Sequence, residues 1–67
     1  MNTMTITVTG MTCGHCVASV TEEINELAGV EGVEVDLPTG SVTITSNEPL
    51  DPTAVAGAVE EAGYAVA

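Results

Sequence analysis

Apolar and polar residues alternate strictly at the start of the chain, from Thr3 to Thr9. The apolar members share one face of an extended segment and the threonines share the other, so the pattern predicts a half-buried β-strand. Residues 10–14 break this alternation. After them, apolar residues recur at three- and four-residue spacing, the period of one helical face, at Val17, Val20, Ile24 and Leu27. We expect a helix that begins near Cys16 and ends at Gly29.

A second pair of alternating segments flanks Pro38–Gly40, whose composition is typical of a turn. Apolar residues occupy every second position on both sides of this turn, at Val33, Val35, Leu37, Val42 and Ile44. Two short alternating segments joined by a tight turn predict a β-hairpin.

A second helix is predicted after Asp51, because Asp is a good N-cap and Pro52 follows it at the first helical position. Gly57 weakens this helix and Gly63 ends it. Its apolar edge is formed by Val55, Val59 and Ala62. Residues 64–66 are then expected to form a last short strand.

These elements follow the order strand, helix, strand, strand, helix, strand, which is the split βαβ arrangement of ferredoxin-like folds. The predicted fold class is therefore α+β, a ferredoxin-like βαββαβ sandwich with a four-stranded antiparallel sheet and two helices on one face. A chain of 67 residues has room for one domain, here residues 1–67. A core this small cannot enclose a sizeable organic substrate, so we expect a binding or transfer protein and not an enzyme.

The charge balance is extreme, with ten acidic residues, no lysine and no arginine, which gives a formal net charge of −10 when His15 is neutral. Nucleic acid is effectively excluded as a partner, because phosphate backbones are bound through basic side chains, and the same lack of lysine and arginine argues against anionic membranes. A protein partner is expected to present a basic docking patch. The alternative is that the acids only keep the chain soluble or reflect a salt-rich or acid-biased proteome.

The sequence carries no apolar run near the ~20 residues that a membrane span needs, and its start lacks the features of a signal peptide. We therefore expect a cytoplasmic protein without membrane insertion. In a reducing compartment, two closely spaced cysteines indicate metal binding or redox chemistry more often than a structural disulfide. A start at Met1 and an end just after the last predicted strand favour a free protein.

The candidate chemistry lies in residues 10–16, where the first strand gives way to the first helix. Thiolates of Cys13 and Cys16 can converge on one soft ion, and two ligands suit copper(I) better than structural zinc, which takes four. The start of the helix should stabilise the thiolate of Cys16 and make it the more acidic thiol. Redox motifs and half zinc sites also use a Cys-x-x-Cys pair, so the spacing alone is a weak signal.

This stretch resembles the heavy-metal-associated domain family of copper chaperones and metal-ATPase N-terminal domains. The family signature Gly-Met-x-Cys-x-x-Cys is met by Gly10, Met11, Cys13 and Cys16, and the resemblance covers essentially the whole chain. It implies that the two cysteines are the copper(I) ligands and that Met11 is a buried anchor beneath the loop. Tyr64 matches the bacterial form of the family, where a tyrosine lies near the metal, so a bacterial-type copper chaperone is expected.

Two further loop residues bear on the choice of metal. Thr12 stands where zinc- and cadmium-selective relatives often carry an aspartate, and the lack of that hard ligand favours copper(I). His15 lies between the two cysteines and can tune their thiols, face solvent or ligate the metal; we favour tuning. Met11, Thr12, His15 and Tyr64 are thus expected to surround the metal without binding it.

The resemblance implies a copper chaperone for metal transport, which passes its ion by ligand exchange to a copper-transporting P-type ATPase or the metal-binding domain of one. The alternative is an excised N-terminal regulatory domain of such an ATPase. Mercury binding and dithiol oxidoreduction are further alternatives that the sequence supports less well. We expect docking through the first helix with Glu22, Glu23 and Glu26, a monomer without metal, and an option of copper-bridged dimers with it.

Overall fold

Six regular elements follow one another along residues 1–12 and 14–67, the residues that the computed structural model describes. Cys13 lies outside the described residues. The elements are β1 (Asn2–Thr9), α1 (Gly14–Asn25), β2 (Val30–Asp36), β3 (Ser41–Ser46), α2 (Pro52–Glu61) and β4 (Ala65–Val66). This order confirms the predicted βαββαβ arrangement. No helix in the described part of the chain is long and apolar enough to cross a membrane.

The four strands form one antiparallel sheet in the order β2-β3-β1-β4. The predicted hairpin of β2 and β3 is therefore confirmed, with a bulge between Val30 and Gly32. β1 lies in the middle and pairs with β3 over six residues, from Asn2 opposite Ser46 to Thr7 opposite Ser41. On its other side β1 pairs only with the two residues of β4.

The two helices contact each other and cover the same face of the sheet. The alternation in β1 has the predicted consequence: Val8 is buried, Met4 and Ile6 are half-buried, and the threonines are exposed. The apolar stripe of α1 also faces inward, since Val20 and Ile24 are fully buried. The core consists of Val8, Val20, Ile24, Val42, Ile44, Val55, Ala58 and Val59.

The ends of α2 are fixed by hydrogen bonds of two standard kinds. At its start, the Thr53 amide donates to Oδ1 of Asp51 at 2.9 Å, which confirms the predicted N-cap. At its end, the Gly63 amide donates to the Glu60 carbonyl at 2.9 Å and the Tyr64 amide to the Val59 carbonyl at 3.1 Å. This bond pair, with Gly63 at φ +95°, is a Schellman motif.

Three boundaries differ from the predicted ones. Helix α1 begins at Gly14, two residues earlier than predicted, and ends at Asn25. It ends before Gly29 because the chain tightens into a turn in which the Leu27 amide donates to the Ile24 carbonyl at 3.0 Å. Leu37 lies in the hairpin turn and not in β2. Tyr64 belongs to the end of the Schellman motif, so β4 is one residue shorter than expected.

Candidate metal centre

The predicted metal loop lies at the end of the sheet where β1 passes into α1. Gly10 follows β1 directly and has φ +91°, in the left-handed region that favours glycine. Met11 is half-buried and packs against the core, whereas Thr12 is exposed. The loop is thus anchored by Met11 on its inner side and open to solvent at the position before Cys13.

Cys16 is the third residue of α1 and is half-buried. The first turn of α1 contains no acidic residue, and the first acid in the chain is Glu22. The positive end of the helix dipole favours a negatively charged group at this position. A thiolate of Cys16 therefore lies in a favourable electrostatic setting that needs no lysine or arginine.

The predicted partner of Cys16 is Cys13, which lies outside the described residues, so the ligand pair stays a prediction. His15 is the second residue of α1 and is exposed. Among residues 1–12 and 14–67, no group of three or more His, Cys, Asp or Glu side chains is placed to hold a metal ion.

Tyr64 lies against the loop from the opposite end of the chain. A Cβ atom placed on Gly10 would lie 3.3 Å from Cδ1 and 3.9 Å from Cε1 of the Tyr64 ring. The ring is half-buried and packs against the core. Tyr64 therefore sits over the start of the metal loop, on the side formed by Gly10.

Two contacts fix Tyr64 in this place. The Schellman motif at the end of α2 sets the backbone of Tyr64 through its bond to Val59. The next residue, Ala65, pairs with Thr9 of β1, and Oγ1 of Thr9 donates to the Ala65 carbonyl at 3.2 Å. The two residues are 56 positions apart in sequence, so the contact between Gly10 and Tyr64 is a product of the fold.

Sequence patterns alone did not reveal that Gly10 and Tyr64 touch. The family signature singles out Gly10, and the resemblance to bacterial members singles out Tyr64, but neither gives the contact between them. The sequence signal for this contact is a glycine directly after a strand, combined with the Gly63-Tyr64 pair after a helix. It becomes informative only when the pairing of β1 with β4 is known.

A ferredoxin-like fold with a Gly-Met-Thr-Cys-Gly-His-Cys loop leading into its first helix defines a small metal-binding domain. The family model described as heavy-metal-associated domain matches residues 5–65 of the chain. The chain therefore belongs to the heavy-metal-associated domain family.

Relatives of this chain fall into more than one functional class. The copper chaperone CopZ of Bacillus subtilis (strain 168) is 38% identical over 68 residues, which cover 100% of this chain and 99% of CopZ. The mercuric reductase of Shewanella putrefaciens is 39% identical over 59 residues, which cover 88% of this chain but only 11% of the reductase. A solved copper binding domain from HMA7, a P-type ATPase, has a TM-score of 0.90 at 26% identity, covering 100% of this chain and 92% of that domain.

Proposed function

We propose that this chain carries one copper(I) ion between Cys13 and Cys16 and transfers it to a metal-transporting P-type ATPase or a similar acceptor. The observation that carries this proposal is the position of Cys16, half-buried in the acid-free first turn of α1. A helix start stabilises a thiolate, and thiolates are the ligands that soft metal ions prefer. The similarity to the copper chaperone CopZ over almost its whole length also supports this function.

Copper(I) is the metal that this ligand set suits best. Two thiolates satisfy a nearly linear copper(I) ion, whereas structural zinc normally takes four ligands. Thr12 is exposed beside Cys13 and offers no carboxylate to a harder ion such as zinc or cadmium. We rank mercury, the metal named in the reductase relative, below copper for this chain.

Transfer is proposed to proceed by ligand exchange at the open loop. A thiolate of the acceptor adds to the two-coordinate copper, after which one of the donor cysteines leaves. Each exchange forms one copper–sulfur bond and breaks one, and the ion remains copper(I) throughout. The exposed positions of Thr12 and His15 leave the loop accessible to an incoming thiolate.

The residues around the loop are proposed to support the metal without binding it. Met11 anchors the loop in the core, and the ring of Tyr64 covers Gly10. Thr12 stands before Cys13 and supplies no carboxylate that could act as a hard ligand. We assign His15, exposed at the second position of α1, to tuning the two thiols. An unchanged copper(I) affinity in His15→Ala would remove that role.

We propose that the acceptor protein docks onto α1 and the metal loop of this chain. Glu22 and Glu26 are exposed and Glu23 is half-buried, all along or just beyond the helix that carries Cys16. Glu22 lies about 9 Å along the helix axis from Cys16, given a rise of about 1.5 Å per residue. An acceptor with a basic patch beside its own metal site would meet these acids as the two loops approach.

Copper transfer to a metal-binding domain of a copper-transporting ATPase tests the function. The copper-loaded chain is mixed with the metal-free domain, the two are separated, and copper is measured in each at rising salt. Glu22→Gln/Glu26→Gln should slow transfer several-fold at low salt. The matched control is Glu31→Gln/Glu34→Gln, which removes the same charge from exposed positions of β2. Retention of copper by this chain against such acceptors would count against a chaperone.

An ATPase regulatory domain is the second candidate, and the structural similarity to the copper binding domain of a P-type ATPase favours it. The two candidates differ in the length of the natural polypeptide. An antibody against this chain, used on a whole-cell blot, should detect a small protein if the chain is a chaperone. A band of ATPase size would favour the regulatory domain.

We also propose that residues 1–67 act as a single heavy-metal-associated domain, that this domain works in the cytoplasm, and that it is not an enzyme. The family match over residues 5–65 supports the domain assignment. The small core supports a carrier in preference to a catalyst, since a core of eight buried apolar residues leaves little room for an organic substrate.

A further inference from the structure

The three methionines of the chain differ in burial and in the backbone structure that holds them. Met1 is 91% exposed, whereas Met4 and Met11 are half-buried and pack against the core. Met4 lies within β1, in the part of the strand that pairs with β3. Met11 lies between β1, which ends at Thr9, and α1, which begins at Gly14. Met11 is therefore a half-buried methionine outside the regular secondary structure.

The metal loop is joined to the core through the side chain of Met11. Gly10 before it has no side chain, and Thr12 after it is exposed. Among the described residues of the loop, 10–12 and 14, Met11 thus supplies the apolar contact with the core. Cys13 follows two positions later in the sequence, so a displacement of Met11 also displaces the chain that leads into the proposed ligand pair.

Small oxidants can reach the sulfur of Met11. The side chain is only half-buried, and the residues on both sides of it, Gly10 and Thr12, are exposed. A peroxide converts a methionine thioether to a sulfoxide. The sulfur bonds to one peroxide oxygen as the O–O bond breaks, and the other oxygen leaves as hydroxide, which takes the proton of the transferred OH and becomes water. Sulfur loses two electrons and the peroxide gains two.

A sulfoxide does not fit the place that the thioether of Met11 occupies. Within residues 1–12 and 14–67, the core that Met11 packs against consists of valine, isoleucine and alanine side chains, which donate no hydrogen bond. A buried sulfoxide oxygen without a donor is unfavourable. If the side chain turns outward, water satisfies the oxygen but the apolar contact is lost. In both cases the loop loses its attachment to the core.

We propose that Met11 is an oxidation site, and that its sulfoxide loosens the metal loop and lowers the affinity for copper(I); the second part rests on the proposed function. Met4 provides the contrast. It lies about 17 Å along β1 from Thr9, given a rise of about 3.3 Å per residue, and its segment of β1 is held by β3. A sulfoxide at Met4 therefore disturbs the core without releasing the loop.

Oxidation of Met11 differs from oxidation of the two cysteines in how it is reversed. Small dithiols reduce a disulfide, whereas a methionine sulfoxide requires a methionine sulfoxide reductase. A chain with recovered thiols and an oxidised Met11 therefore remains a weak copper(I) binder. The effect of peroxide on copper binding thus outlasts the recovery of the thiols.

Urea unfolding in the Cys13→Ser/Cys16→Ser background tests the first part, because this variant carries neither thiols nor the proposed copper site. Met4→Leu, added to this background, leaves Met11 as the half-buried methionine, and Met11→Leu is the matched control that leaves Met4. Mass spectrometry of peptides measures oxidation at each methionine after hydrogen peroxide treatment. Oxidation of Met11 in the Met4→Leu chain should raise the unfolding equilibrium constant roughly tenfold or more.

Copper(I) affinity tests the second part in chains that keep both cysteines. The Met4→Leu and Met11→Leu chains are treated with hydrogen peroxide, reduced with dithiothreitol until a thiol assay finds both thiols, and titrated with copper(I) against a competing chelator. The affinity should fall roughly tenfold in Met4→Leu and by less than about twofold in Met11→Leu, each relative to its own untreated chain. Methionine sulfoxide reductase should restore the affinity of the treated Met4→Leu chain.

Two results would overturn the proposal: a Met11 that stays reduced under conditions that fully oxidise Met1, or an oxidised Met11 that changes neither unfolding nor copper(I) affinity. An equal loss of affinity in both variants would also overturn it, because oxidation of Met4 would then act on the site as strongly. Untreated chains that bind no copper(I) would contradict the proposed function instead. A response of urea unfolding to the oxidation of Met11 would still support the oxidation site in that case.

Discussion

Gly10 has a backbone conformation that favours glycine, and it also lies against a residue that is distant in sequence, Tyr64. Its φ of +91° suits glycine, and a Cβ atom added there would lie only 3.3 Å from Cδ1 of the Tyr64 ring, which makes a tight contact. An L-residue in a left-handed conformation costs roughly 1–2 kcal/mol, and the contact with the ring adds to that cost. Gly10 therefore couples the shape of the metal loop to the position of the last turn of the chain.

Gly10→Ala is expected to lower the free energy of unfolding by about 1–2 kcal/mol, as measured by urea denaturation. Gly57→Ala is the matched control, because Gly57 lies within α2 and a Cβ there meets no described atom within 4 Å. That control should raise the free energy of unfolding by up to about 1 kcal/mol. Equal effects of both substitutions would show that the Tyr64 contact and the positive φ have no energetic role.

The same residue shows where prediction from sequence stops. Alternation, helical spacing and helix-capping residues are short-range patterns, and together they predicted the order of the six elements. The contact between Gly10 and Tyr64 depends on the pairing of Thr9 with Ala65, which no local pattern specifies. The cysteine pair was predicted from the motif, and because Cys13 lies outside the described residues, its role as a ligand remains a proposal.

At the scale of elements, α2 shows how local signals determine where a helix begins. Asp51 has an extended backbone at φ −76° and ψ 120°, and its carboxylate accepts the amide of Thr53. Pro52 follows at a position where no amide is needed. These signals are confined to a few consecutive residues, which explains why the start of α2 was predicted correctly while the end of α1, governed by a tight turn at Leu27, was not.

Asp51→Ala is expected to lower the free energy of unfolding by about 1 kcal/mol, because the Thr53 amide loses its acceptor. Asp51→Asn removes the same charge but keeps an acceptor oxygen, so it should stay within a few tenths of a kcal/mol of the parent. Thermal or urea unfolding at one fixed salt concentration checks both variants. If Asn cost as much as Ala, the charge and not the cap would be the stabilising feature.

At the scale of the molecule, ten acidic residues and no lysine or arginine lie on a chain whose radius of gyration is 10.5 Å. The folded state holds these charges closer together than the unfolded state does, so their repulsion opposes folding. Salt screens this repulsion. Repulsion among the acids thus lowers the free energy of unfolding.

The free energy of unfolding in urea is expected to rise by on the order of 2 kcal/mol between about 0.05 M and about 1 M sodium chloride. Glu22→Gln/Glu26→Gln/Glu31→Gln/Glu34→Gln changes exposed positions only and reduces the net charge from −10 to −6. This variant should be more stable at low salt and respond less to added salt. Stability that stays constant or falls with salt in the parent chain would contradict the charge argument.

The central claim, that Cys13 and Cys16 together hold one copper(I) ion, is tested most directly by titrating the reduced chain with copper(I) against a competing chelator. We expect one copper per chain, with zinc(II) unable to displace it. Cys13→Ser and Cys16→Ser should each lose most of the affinity, while Ser19→Ala, a change of another polar residue in the same helix, should retain it. Copper(I) bound as tightly by a folded Cys16→Ser chain as by the parent would contradict the claim.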